Sequence, residues 1–336
     1  MRAVQTFATM TMFACAAQHE VPVTDPMLPP DVNVGTRTID DIRCAGTPDV
    51  GPATGWRHTL SDYTATLGAP HHRGIDLIAS ADDAEQAITG KLTYGVTDKD
   101  LEDEDVELFA CFDKAWHPIG TARTNDNGTF ALTLTGDARL PIGMRDLYVS
   151  VAGDRSGAEF IGFVAPTGAK LVVSDVDGTL TASENAYPTS LAIGGDVAAH
   201  DDAAGALMSL AVRDHSVVYI TARGDRFTQD TRDWFAAKGF PRGPLRMPTA
   251  IITMPGEDTI ELKTSALDAL AAFDIVAGIG NRSTDITAYT NAGVPADRIF
   301  IKLSEFEDEV RAQLDAAAAT GFTAYEALRT EHFSAM

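Results

Sequence analysis

The run Leu171-Val172-Val173-Ser174 leads straight into Asp175-Val176-Asp177-Gly178-Thr179-Leu180-Thr181. The apolar part is long enough for a buried strand, and the glycine lets the backbone turn sharply where the strand ends. Runs of the same kind recur at Ser216 to Ile220, Thr249 to Met254, Ile275 to Ile279 and Arg298 to Lys302. Helix-forming stretches lie between them, at about 200–213, at about 225–238 closed by Gly239, after Lys263, from about Thr284 to Asn291, and from near Ser304. Alternating strands and helices predict an α/β domain with a doubly wound, mostly parallel sheet over residues 166–336. Ligands bind such sheets at the carboxyl ends of the strands, and every polar cluster below sits at such an end.

Four clusters carry chemistry. Asp175 and Asp177 stand two residues apart; one can act as nucleophile while the other exchanges protons. Close carboxylates also repel and invite a cation, and hard oxygen donors suit Mg²⁺. In Tyr219-Ile220-Thr221-Ala222-Arg223, the Thr221 hydroxyl can donate to a phosphoryl oxygen or cap the next helix. Lys263, in Glu261-Leu262-Lys263-Thr264 at a predicted helix start, is a surface charge or a phosphate-neutralising one. Gly278-Ile279-Gly280-Asn281-Arg282-Ser283-Thr284-Asp285 is a glycine turn after a strand, with Asp285 placed to reach a cation.

In order and spacing these clusters resemble the haloacid-dehalogenase phosphohydrolase superfamily, over roughly residues 170–303. The resemblance implies Asp175 as the nucleophile that forms an aspartyl-phosphate, and Asp177 as the acid and then the base. It implies Thr179, Thr221, Ala222 and Lys263 around the phosphate, and Mg²⁺ held by Asp175, the Asp177 carbonyl and Asp285. The chemistry agrees, since phosphoryl transfer needs in-line attack and positive charge around the oxygens. More narrowly, the run from Gly280 to Pro295 and the tripeptide Gly243-Pro244-Leu245 resemble the lipins, Mg²⁺-dependent phosphatidate phosphatases. The C-terminal domains of phosphatidylinositol-transfer proteins share the pattern, but they generally lack the nucleophilic Asp and only bind lipid. Asp175 therefore favours hydrolysis of phosphatidate to diacylglycerol and phosphate. The alternatives are a phosphatase for a soluble phosphoester or phosphoprotein, and a non-catalytic phosphatidate-binding module. Intervals of 44 residues from Asp177 to Thr221 and 42 from Thr221 to Lys263 leave no room for a cap, so the site is expected to be open.

The first half reads differently. Short strands separated by turn clusters, such as Asn125-Asp126-Asn127-Gly128, predict an antiparallel β-sandwich over 90–165. In lipins an immunoglobulin-like sandwich packs beside the catalytic domain, and this segment could be its equivalent. Residues 16–89 read as an extended, partly ordered lead-in. Residues 1–15 have the outline of a secretory signal or a lipoprotein segment ending at Cys15, so export or anchoring by lipidation is expected, a cytoplasmic chain being the alternative. Cys44 and Cys111 then remain as a disulfide pair or as two separate thiols. His117 and the pair His71-His72 read as structural or surface histidines. The acidic run Asp98 to Asp105 reads as a solvated loop. A net charge of −22 argues against nucleic acid and against simple electrostatic docking on anionic lipid.

Overall fold

The computed structural model describes residues 38–184, 196–249 and 256–336. Cys15 and its segment lie outside the described residues, as does the strand expected at Thr249 to Met254 beyond its first residue.

The α/β domain is built on a parallel sheet. Strands β12 (Lys170–Ser174), β13 (Ser216–Ile220), β14 (Leu245–Arg246), β15 (Asp274–Gly280), β16 (Ile299–Lys302) and β17 (Thr320–Phe322) stand in the order β14-β13-β12-β15-β16-β17, every pairing parallel. The apolar runs are continuous because both sheet faces are buried. Side chains alternate across a strand, so Val172, Val217, Tyr219 and Phe300 feed one core. Leu171, Val173, Val218, Ile220, Ile299 and Ile301 feed the core on the opposite face. Helices α2 (Ala203–Ala211), α3 (Thr228–Lys238), α4 (Glu257–Asp268), α5 (Ser283–Asn291), α6 (Glu307–Asp315) and α7 (Tyr325–Glu331) complete the described part of the domain. Gly239 closes α3 in the left-handed conformation, as its position after the helix predicts. Two expectations are corrected. Lys263 lies in the middle of α4, because Glu257 and Asp258 supply an acidic first turn six residues earlier. The chain also adds β17 and α7 after the helix expected to be last.

The N-terminal half is a small β-sandwich. One sheet runs β3 (Leu77–Ser80), β11 (Gly157–Ala165), β10 (Gly143–Val151), β7 (Asp105–Phe112), β8 (Ala115–Arg123), with β1 (Asp41–Ile42) added on β10. The facing sheet is β2 (Arg73–Ile75), β4 (Glu85–Lys91), β9 (Thr129–Thr135). Leu108, Ala110, Leu147, Val149 and Phe160 meet Ile88, Phe130 and Leu134 between them. The sandwich begins before residue 90: β2, β3 and most of β4 fall in the expected lead-in, as does helix α1 (Thr59–Ala65). It is also not wholly antiparallel, since β1 joins β10 and β3 joins β11 in parallel. Cys44 and Cys111 form a disulfide that pins the chain before α1 onto β7. The acidic run is only partly solvated. Lys99 and Asp100 form strand β6 against β5 (Thr93–Tyr94), Asp98 pairs with buried Arg73, and buried Glu104 accepts the Arg57 and His58 N–H groups.

The halves share a core, in which Ile39, Met144, Ile161 and Phe163 pack with residues under the parallel sheet. Asp76, between β2 and β3, is buried across the junction. Its carboxylate accepts Ile161 N at 2.7 Å, Leu245 N at 2.7 Å and Arg232 Nη2 at 2.5 Å.

Candidate functional site

The four clusters converge at the carboxyl edge of the sheet. Asp175 follows β12, and its N–H donates to the Ile279 carbonyl at 2.9 Å, which ties the loop to β15. Gly178 has φ +68, and a Cβ there would stand 2.1 Å from Asn281 Nδ2, so the turn has room for glycine alone. Thr179 Oγ1 donates to Asp175 Oδ2 at 2.8 Å, and Tyr325 of α7 donates to the Thr179 carbonyl. Lys263 reaches in from α4 and donates to Asp175 Oδ1 at 2.7 Å and to Asp285 Oδ1. Asp285 Oδ2 accepts the Asn281 and Arg282 N–H groups, each at 3.0 Å, and so caps α5. A Cβ on Gly280 would stand 2.4 Å from the Asp285 Cβ, so this glycine allows the approach.

Asp177 belongs to a second, adjoining group. Its carboxylate accepts Thr221 Oγ1 at 3.0 Å and is gripped by Arg223 Nε and Nη2, the shortest contact being 2.7 Å. Ala222 lies between Thr221 and Arg223, half-buried. Asp175, Thr179, Thr221, Lys263 and Asp285 are all buried, and Asp177 marks the more exposed edge. The open site expected from the spacing is thus filled by its own side chains, although 185–195 and 250–255 lie outside the described residues.

Burial pushes the Asp175 carboxyl up to about 7; Lys263 opposes the shift, and the Asp285 and Glu184 carboxylates add to it. Burial would lower the Lys263 ammonium, but Asp175 and Asp285 outweigh it and hold the group above its ordinary value. Glu184 is also raised, by burial first, against a hydrogen bond from Asn281.

Three members escaped the sequence reading. Arg223 was present in a quoted motif but had no role there, and it proves to be the partner of Asp177. Asn281 links Thr179 to Glu184. Glu184 leans over the loop, 2.7 Å from where a Gly178 Cβ would be. The histidines take structural parts. His117 is exposed. His72 Nδ1 accepts the Thr93 N–H at 3.3 Å and Nε2 meets Ser156 Oγ at 2.8 Å, while burial pushes the ring down to about 4. Its protonated nitrogen therefore faces Ser156, so it is placed as a donor to that hydroxyl and not as its base.

The expected Mg²⁺ site can be tested on its donors. Both oxygens of Asp175 and both of Asp285 already accept hydrogen bonds from the protein. Among the described residues no group of three or more His, Cys, Asp or Glu side chains comes together to hold a metal ion. In this arrangement the Lys263 ammonium stands between the two carboxylates.

Residues 172–302 match the family model described as PITM 1-3, LNS2 domain, and residues 70–164 match PITM 1-3, beta-sandwich domain. The α/β domain is thus similar to an LNS2 domain, and the sandwich before it to the PITM β-sandwich. Over 255 residues it is 27% identical to membrane-associated phosphatidylinositol transfer protein 3 of Mus musculus, covering 74% of this chain and 25% of that protein. Over 243 residues it is 29% identical to protein retinal degeneration B of Drosophila melanogaster, covering 69% and 18%. The chain thus spans about a quarter or less of these curated relatives. A solved chain of the Pnkp1/Rnl/Hen1 RNA repair complex shares 16% identity at a TM-score of 0.32, over 46% of this chain and 42% of its own.

These matches correct the expectation of a Mg²⁺-dependent phosphatidate phosphatase. Apart from retinal degeneration B, whose name states no activity, these relatives are named as transfer proteins and not as hydrolases, and among the described residues the carboxylates do not gather as a metal site. Among the described residues no helix is long and apolar enough to cross a membrane.

Proposed function

We propose that the chain is a non-catalytic lipid-binding module, which recognises the phosphate headgroup of an anionic phospholipid and fits phosphatidate best. The observation that carries this reading is how the charges of the site are pinned. Hydrolysis would require Asp177 to leave Arg223 and exchange a proton beside the nucleophile. Here Asp177 is committed to Arg223 and Thr221, while Asp175 and Asp285 hold Lys263 between them. The same side chains can bind a phosphate. Lys263 and Arg223 supply positive charge, and the Thr179 and Thr221 hydroxyls supply donors. An Asp175 carboxyl that is protonated near neutrality ceases to compete for Lys263 and becomes a donor itself. The names of the relatives, membrane-associated phosphatidylinositol transfer proteins, support a phospholipid as the partner and a membrane as the place where it is met.

The test is a vesicle titration of the whole chain against phosphatidylcholine alone, or mixed with phosphatidate or phosphatidylinositol, with and without Mg²⁺. Binding that favours phosphatidate and needs no Mg²⁺ supports the proposal. Equal binding to all three vesicles overturns it.

A further inference from the structure

The described residues expose six large apolar side chains, and four share one corner: Leu60, Tyr63 and Leu67 in or just after α1, and Val96 in the turn between β5 and β6. Leu60, Tyr63 and Leu67 follow the i, i+3, i+7 spacing of a single helical stripe. The buried residues of α1 are Ser61 and Thr64. The helix thus turns polar residues inward and an apolar stripe outward, the reverse of an ordinary surface helix. The β5–β6 turn lies against it, for a Cβ on Gly95 would stand 3.2 Å from the Leu67 Cβ. Val96 is 80% exposed.

This corner is fixed and joined to the site. Glu104 holds the start of α1 through the Arg57 and His58 N–H groups, and Pro70 pairs with Tyr94. Arg226 Nη1 donates to the Val96 carbonyl at 2.8 Å, and Arg73 pairs with Asp98 of the turn and with Asp225. Asp225 and Arg226 belong to the same loop as Thr221 and Arg223. The charges around this corner are largely paired: Arg57 with Asp103 and Asp105, Arg73 with Asp98 and Asp225, and Lys99 with Glu102. An acidic surface is repelled by anionic lipid, whereas an apolar corner whose neighbouring charges are paired can approach it more closely.

We propose that the α1 stripe and Val96 are the surface by which the chain docks on a phospholipid bilayer. Leu60, Leu67 and Val96 enter between the headgroups, and Tyr63 sits at the interface, where an aromatic ring with a polar tip is stable. Docking there brings the Thr221–Arg226 loop toward the lipid; this orientation rests on the headgroup reading above.

The test compares the whole chain with the Leu60→Asn/Leu67→Asn/Val96→Asn variant, whose substitutions lie on exposed positions. Flotation with phosphatidylcholine vesicles containing phosphatidate measures docking, and calorimetry with a soluble short-chain phosphatidate measures the headgroup site alone. Vesicle affinity is expected to fall at least about tenfold, because three buried apolar side chains are lost, while the soluble phosphatidate affinity is unchanged. Vesicle binding within about twofold of wild type overturns the proposal. So does loss of soluble phosphatidate binding in the variant, or a wild-type dimer that the substitutions dissociate, which would make a second copy the occupant. A wild type that binds no soluble phosphatidate, yet floats with vesicles through these three side chains, supports the surface and sinks the headgroup reading instead.

Discussion

Asp76→Ala is the perturbation that most sharply probes how the two halves are joined. The Asp76 side chain is fully buried and accepts one N–H from the sandwich, at Ile161, and one from the sheet edge, at Leu245. It also pairs with Arg232 of α3, and its backbone carbonyl accepts from Arg246. Alanine would leave two buried N–H groups without a partner, at about 1–3 kcal/mol each. It would also leave the guanidinium unpaired; breaking a buried pair costs about 3–5 kcal/mol, here toward the low end because Arg232 is 17% exposed. These contributions share one carboxylate and do not add in full, so the expected loss is about 4 kcal/mol. Urea denaturation followed by tryptophan fluorescence measures it, because Trp56 and Trp116 report on the sandwich side and Trp234 on the α/β domain. The wild type is expected to unfold in one transition. In the variant the midpoint should fall, and the Trp234 signal should separate from the others. A loss below about 1 kcal/mol with one coincident transition would refute the view that Asp76 couples the halves.

Other outcomes follow from the same geometry. Reducing the Cys44–Cys111 disulfide, which spans 67 residues, should lower stability by up to about 4 kcal/mol by the loop-entropy argument; thermal melts with and without reductant check this. Gly178→Ala must accommodate a Cβ at positive φ against Asn281 and should cost about 2–3 kcal/mol, with headgroup binding lost in calorimetry. Asp175 titrates in the folded state near 7, above the ordinary 3.8. The fold therefore holds its proton more tightly than the unfolded chain, and stability contributed by this group is lost as pH rises through that window. Asp175→Asn removes the loss, so its melting temperature should exceed that of the wild type at about pH 8, by the equivalent of roughly 2 kcal/mol. For the same reason phosphatidate affinity of the wild type should rise as pH is lowered from about 8 toward 7.

Legibility in the sequence followed burial. Strands β12, β13, β15 and β16 were readable because a strand buried on both faces is an unbroken apolar run, and each site cluster fell at the end of one. Helix α1 was not readable because Leu60 and Tyr63 face outward, so its pattern lacks the usual inward apolar stripe. Strands β2, β3 and β17 are only three or four residues long, too short for periodicity to separate them from loop. Asp76 carries no motif at all; its role comes from Ile161 and Leu245, both distant in sequence. Function was the least legible. A phosphate-binding set and a phosphate-hydrolysing set use the same residue types, Asp, Thr and Lys at strand ends. On the reading proposed above, what distinguishes them is the direction of two side chains, Asp177 toward Arg223 and Lys263 between Asp175 and Asp285, and residue spacing does not encode direction.

The central claim is that this site holds a phosphate headgroup and leaves it intact. Its most direct measurement follows bound lipid and free phosphate together, in one sample of the whole chain on phosphatidate-containing vesicles with Mg²⁺ present. Saturable binding with no phosphate released above the protein-free control is the expected result. Phosphate release that rises with protein concentration would contradict it, as would binding no stronger than to phosphatidylcholine alone.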